Sequence, residues 1–140
     1  MDPSTVTVRQ ADASDAAAVF KFLQPFMQQK FLLTRSINEI EKLTANGFVA
    51  ESASGNVVGF AAIEIYSRKM AEVQCLAVSP DCQGKGIGKR LVDHCVERAR
   101  LLSVCELMAI TANENLFQQC GFDYSLPNQK RALFIQTQEP

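Results

Sequence analysis

The sequence predicts a layered α/β domain, a mixed and mainly antiparallel sheet with helices on both faces, in the order β-α-α-β-β-β-α-β-α-β. Three observations carry that expectation. Strand-like runs at 48–52, 57–66 and 70–78 follow one another across short turns, as an antiparallel meander does. Two helical segments come before them, and a longer amphipathic helix comes after. A glycine-rich loop joins the last run to that longer helix. A chain of 140 residues, 47% hydrophobic and 21% charged, suits one such domain, taken as residues 6–137.

Each element has its own local signal. Val6 to Gln10 alternates as a short strand. Ser14 and Asp15 offer N-caps to a helix through Ala18, Val19, Phe22 and Leu23, expected to end near Pro25. Thr34-Arg35-Ser36 leads into a second helix with Ile37, Ile40 and Leu43 on one face, and Asn46-Gly47 is the expected C-cap. Ala53-Ser54-Gly55-Asn56 is a hairpin turn, and Ser67-Arg68-Lys69 separates the next two strands. From Ile87, the apolar positions Leu91, Val92, Cys95, Val96 and Ala99 make one core-facing stripe on a helix reaching about Leu102. Glu106 to Ile110 reads as a strand, Asn113 to Gln119 as a short helix, and Arg131 to Gln136 as a last strand.

Charge and composition exclude several function classes. Fourteen Lys+Arg against fifteen Asp+Glu leave a net charge of −1, which does not suit a protein gripping nucleic acid through its phosphates. No apolar run approaches the ~18 residues of a membrane span, and the N-terminus lacks the basic and apolar regions of a secretory signal. Cys75, Cys82, Cys95, Cys105 and Cys120 form no C-x-x-C pair, and His94 is the single histidine, so no metal site is expected. Free, mostly buried thiols in a reducing cytoplasm are the expectation.

The loop Gln83-Gly84-Lys85-Gly86-Ile87-Gly88-Lys89-Arg90 carries the most chemistry. Glycines let a backbone turn through positive φ and approach a ligand closely. The first N–H groups of the following helix have no intrahelical partner, and the helix dipole makes that end positive. Lys85, Lys89 and Arg90 crowd the same end, where cations are disfavoured unless an anion sits there. A phosphate site follows. The loop is not a Walker A motif, because Gln83 stands where its first glycine belongs and Arg90 where Ser or Thr belongs. Nor is it a Rossmann fingerprint, because Lys89 replaces the third glycine and a meander precedes it.

Gln83-x-x-Gly86-x-Gly88, following the strand Glu72 to Val78 and opening a helix, resembles the pyrophosphate loop of the GNAT superfamily of acyl-CoA-dependent N-acetyltransferases. The resemblance runs from Val6 to about Gln136. It takes in Val78-Ser79-Pro80-Asp81 and the segment from Asn113 to Cys120-Gly121-Phe122. Arg35-Ser36, Lys69-Met70-Ala71-Glu72 and Leu116-Phe117-Gln118 look most like the acetyltransferase domain of N-acetylglutamate synthases.

That resemblance implies acetyl-CoA as co-substrate and no metal. The N–H groups of Gln83, Gly84, Lys85, Gly86, Ile87 and Gly88 would hold the pyrophosphate, with Lys85, Lys89 or Arg90 near the 3′-phosphate. The strand at Leu76, Ala77 and Val78 would pair with the pantetheine arm, and one of its N–H groups would polarise the thioester carbonyl. Glu72 matches the position of the base, on a face expected to be shared with Gln74 and Leu76. Asn113 is a candidate partner of the pantetheine arm. Phe117 stands where many members carry a proton-donating tyrosine, leaving Tyr124 or water for that role. Arg35 matches an arginine that contacts a substrate carboxylate.

The expected activity is therefore direct acetyl transfer to a small amine, an amino acid among the candidates. A relay through Cys75 is disfavoured, since it has no histidine partner. A non-catalytic acyl-CoA sensor and a peptide or protein N-acetyltransferase are the alternatives. A homodimer is compatible with the resemblance, and a cytoplasmic location with the composition.

Overall fold

The computed structural model describes residues 5–124 and 133–138. Five strands form one sheet in the order β1-β2-β3-β4-β5. They are β1 (Thr7–Gln10), β2 (Gly47–Glu51), β3 (Val57–Ile65), β4 (Met70–Val78) and β5 (Glu106–Met108). The first four run antiparallel, so the predicted meander is present, and β5 alone lies parallel to its neighbour. A parallel neighbour needs a crossover, and α3 (Ile87–Leu101) supplies it.

Helices cover both faces. On one face, α1 (Ala16–Gln28) and α2 (Ile37–Thr44) pack Leu23 and Ile40 against Val49, Phe60 and Ala62. On the other, α3 and α4 (Glu114–Gln119) pack Leu91, Cys95 and Phe117 against Ala61 and Ile63. Successive β3 residues therefore enter opposite cores, which is why β3 reads as an unbroken apolar run rather than an alternating one.

Several local expectations change. Asp15 is the N-cap of α1 as expected but makes no side-chain cap bond there; the capping box belongs to Asp12, which closes it with Asp15 around the turn Ala13–Asp15. Pro25 does not end α1, which runs on to Gln28. Only the N–H of one turn is lost there, and Met27 is buried by the continuation. Ser36 caps α2 as its sequence suggests, with Glu39 closing the box. Gly47 is no C-cap: it opens β2, and a Cβ there would meet the Leu43 carbonyl oxygen and the Phe60 ring at 3.0 Å. It is glycine because helix and ring close over it.

The predicted last strand is absent over Leu133 to Gln136, while Arg131 lies outside the described residues. Leu133, Phe134 and Ile135 are 91%, 79% and 87% exposed. Strand propensity without a partner edge does not make a strand.

The feature that positions the site lies in β4. Phe60 of β3 pairs with Ala77 and Ala62 with Gln74, so Ala61 faces two residues, Cys75 and Leu76. This is a β-bulge, with Cys75 at φ 58°. It reverses the alternation. Val73 packs in the α3-side core, Cys75 and Ala77 in the α1/α2-side core, and Leu76 and Val78 return to the α3 side. The expectation that Leu76 shares a face with Glu72 and Gln74 is thereby corrected, because one inserted residue shifts the pleat.

Candidate functional site

β5 pairs with β4 only from Met70 to Glu72, so beyond Glu72 the β5-side edge of β4 has no strand partner among the described residues. The resulting groove holds about 1370 Å³. It begins beside Arg35, Glu72 and Gln74, follows Leu76, Ala77 and Val78, and reaches Gln83, Gly84, Gly86, Ile87, Gly88 and Lys89 at the start of α3. Asn113 and Phe117 add the α4 side. Of the residues predicted for binding or catalysis, Lys85, Arg90 and Tyr124 do not line this groove.

The loop end is built for backbone recognition. Gly84 and Gly86 take φ of 76° and 82°, and a Cβ at either would meet nothing within 4 Å. Positive φ, not crowding within the chain, requires glycine there, and the space above the backbone stays open for a ligand. Gly86 is the N-cap of α3 and offers no side chain to its first-turn N–H groups. The Gln83 amide Nε2 donates to the Val78 carbonyl at 2.9 Å, fixing the loop to the end of β4. An elongated groove ending on a helix N-terminus with open glycines fits a pantetheine arm and pyrophosphate.

The cations around that end are not equivalent. Lys89 Nζ lies 2.9 Å from Asp93, whose hydrogen bond raises its pKa. Arg90 Nη2 donates to the Val6 carbonyl at 3.0 Å, so this guanidinium ties α3 to the segment before β1. Arg90 does not line the groove. Part of the predicted crowding of cations is thus answered within the chain.

At the other end the polar side chains are connected. Arg35, its side chain 13% exposed, donates from Nη2 to Gln74 Oε1 at 2.7 Å. Its Nη1 lies 3.9 Å from Glu64 and 4.0 Å from Glu39. Gln74 Nε2 reaches the Tyr66 hydroxyl at 3.3 Å, and that hydroxyl donates to Glu72 Oε1 at 2.6 Å. Sequence reasoning missed Tyr66 and Gln74. Period two places Gln74 beside Glu72, but the hairpin that brings Tyr66 back over both is a tertiary fact.

Three further expectations are refined. Burial pushes the Cys75 thiol up to about 11, which makes it a poor nucleophile near neutrality. Asn113 caps α4 by accepting from the Leu116 N–H at 3.2 Å, which fixes the side chain and leaves its Nδ2 as a donor toward a ligand. Tyr124 does not line the groove; its hydroxyl donates to Glu114. Phe117 is buried edge-on to Phe122, their ring centres 5.1 Å apart. Among the described residues no group of His, Cys, Asp and Glu is placed to hold a metal, and no helix is long and apolar enough to cross a membrane.

Comparison with known proteins agrees with the geometry. Residues 44–124 match the family model of the acetyltransferase (GNAT) domain. The chain is 32% identical over 132 residues to the amino-acid acetyltransferase of Neisseria meningitidis serogroup A, covering 90% of this chain and 30% of that protein. It is 31% identical to an uncharacterized N-acetyltransferase of Chlorobaculum tepidum, covering 87% and 78%. The structure of N-acetylglutamate synthase from Neisseria gonorrhoeae with coenzyme A and N-acetyl-glutamate superposes with a TM-score of 0.72 at 32% identity, covering 81% and 27%. Rv2747 from Mycobacterium tuberculosis, solved with CoA, gives 0.78 at 27% identity, covering 90% and 76%.

A mixed sheet parted at β4, with a glycine loop at the parting, defines an acetyltransferase fold. The chain belongs to the GNAT acetyltransferase family. It spans about 30% of the length of the curated amino-acid acetyltransferases it matches.

Proposed function

We propose that the protein transfers an acetyl group from acetyl-CoA to the amine of a small molecule, an amino acid being the acceptor the groove favours, with both substrates bound together. The observation that carries this reading is the unpaired edge of β4 running into the open glycines of α3. Acetyl-CoA, when bound, supplies an activated acyl group on a thiolate leaving group.

The chain's own residues divide the remaining work. Backbone N–H groups from Gln83 to Gly88 hold the pyrophosphate at the positive end of α3, with Lys85 or Lys89 near the 3′-phosphate. Leu76, Ala77 and Val78 lie beside the pantetheine arm. The bulge leaves a ladder N–H near Leu76 able to polarise the thioester carbonyl. Asn113 Nδ2 donates to the arm and Phe117 packs against it.

An amine with a pKa near 10 arrives protonated at pH 7 and must lose a proton before attack. Glu72, in the groove wall, accepts that proton directly or through one water. Arg35 offers a planar fork to an acceptor carboxylate.

Phe117 at the tyrosine position favours a second reading, a CoA-binding module without turnover. Thiol release from acetyl-CoA across a panel of amino acids, polyamines and aminoglycosides separates the two. Turnover with an amino acid, reduced roughly 10²–10⁴-fold in Glu72→Gln with CoA affinity kept, is the expected result. Binding of CoA with no turnover on any amine would replace the enzyme reading by the sensor.

A further inference from the structure

The polar contacts at the acceptor end form a chain with one direction. Arg35 Nη2 donates to Gln74 Oε1, Gln74 Nε2 donates to the Tyr66 oxygen, and the Tyr66 hydroxyl donates to Glu72 Oε1. With its oxygen accepting from Gln74, the tyrosine has its one proton left for the carboxylate. Tyr66 follows the last residue of β3, and the turn to Met70 folds it over β4. No substrate contact is needed for it to govern Glu72.

We infer that Tyr66 is a positioning residue for Glu72, fixing the orientation of the carboxylate so that it takes a proton from the acceptor amine. This rests on the assignment of Glu72 as the base. A hydrogen bond to the charged form of an acid favours that form. Other charges face the pair from each neighbouring element: Glu64 lies directly opposite Glu72 on β3, while Arg35 and Glu39 come from the start of α2. Burial and the bond to Glu72 push the phenol up to about 12, so it stays a donor throughout the working range. Glu72→Gln tests the base, and Tyr66 tests its support.

The experiment is the pH profile of kcat/KM with the best acceptor, measured for the wild type, Tyr66→Phe, Glu72→Gln, and a protein carrying ring-fluorinated tyrosine at position 66. Tyr66→Phe removes the donor, so the acid limb moves up by about one pH unit and turnover at pH 7 falls about tenfold, with KM for acetyl-CoA unchanged. Fluorinated tyrosine is a stronger donor of the same shape, so it moves the limb down. If Tyr66→Phe fails to fold, the fluorinated protein decides alone. Lower activity with an unmoved limb in either protein would make Tyr66 merely structural and overturn the inference, while an impaired Glu72→Gln kept the base. Wild-type turnover in Glu72→Gln would overturn both.

Discussion

Replacing the loop glycines by alanine separates what the fold needs from what the ligand needs. Gly86 and Gly55 take nearly the same backbone conformation, φ 82° and 85°, and neither would place a Cβ within 4 Å of another atom. Gly86 lines the groove, whereas Gly55 lies in the hairpin turn between β2 and β3. Forcing alanine into the left-handed region costs roughly 1–2 kcal/mol. An unfolding entropy of about 2.1 cal/mol/K per residue gives roughly 0.3 kcal/mol/K for this chain, so each substitution should lower Tm by about 3–7 °C.

The two variants must differ only in CoA binding. Calorimetric titration should show Gly55→Ala unchanged and Gly86→Ala weakened about tenfold or more, ~1.4 kcal/mol, because the added methyl occupies the ligand's place. Gly88 sharpens the comparison. Its Cβ would sit 3.5 Å from Leu116 and 3.8 Å from Val78, ordinary contacts, and its φ is not positive. Gly88→Ala should therefore hold or raise Tm, by up to ~1 kcal/mol of helix propensity, so any loss of affinity is the ligand's own. Equal Tm losses with wild-type CoA affinity in Gly86→Ala would show that its glycine serves only the turn, and the pyrophosphate site would have to lie elsewhere.

Other perturbations read other parts of the molecule. Arg35→Ala should raise KM for an amino-acid acceptor far more than KM for acetyl-CoA, and steady-state kinetics with the best acceptor checks it; equal effects would remove the carboxylate role. Cys75→Ala should keep turnover, and mass spectrometry after mixing with acetyl-CoA should find no acetylated enzyme, because a thiol raised to about 11 by burial is a poor nucleophile at pH 7. The hydrogen bond from Arg9 holds the Asp15 carboxyl below the usual range, with the guanidinium also bound to Glu51. A depressed native pKa gives stability that is present above the unfolded value near 4 and lost as pH falls through the native one. The Tm gap between the wild type and Asp15→Asn should therefore be full at pH 6 and close below about pH 4; a gap independent of pH would show that the pair contributes no linkage.

The loop and the order of elements could be read from sequence because their signals are local. Glycines at 84 and 86 mark a backbone that must turn, and the stripe from Ile87 to Ala99 marks a helix with one buried face. Local signals failed where distant contacts decide. Gly47 looks like a helix terminator, but the Phe60 ring requires it. Arg90 looks like part of the glycine loop's cationic end, but its Nη2 is tied to the Val6 carbonyl 84 residues away. Leu133 to Ile135 has strand propensity and finds no edge. At the acceptor end, Glu72 and Arg35 could be found by motif. Their link through Gln74 and Tyr66 required knowing how the β3–β4 turn closes.

The bulge at Cys75 also sets how β4 tolerates change. In an uninterrupted strand, the positions accepting polar residues would keep one parity from end to end. Here Val73 and Leu76 enter the same core although three positions separate them, and Gln74 and Cys75 share a side although they are adjacent. A scan of all substitutions along β4 should thus show its even–odd rhythm break phase once, between Gln74 and Leu76. Deleting Cys75 would restore a single rhythm and leave every remaining residue of the strand on its present side. An inserted residue at this point is a hinge in the coding of the strand, letting Gln74 join Arg35 and Tyr66 on one side while Leu76 and Val78 turn to the α3 side.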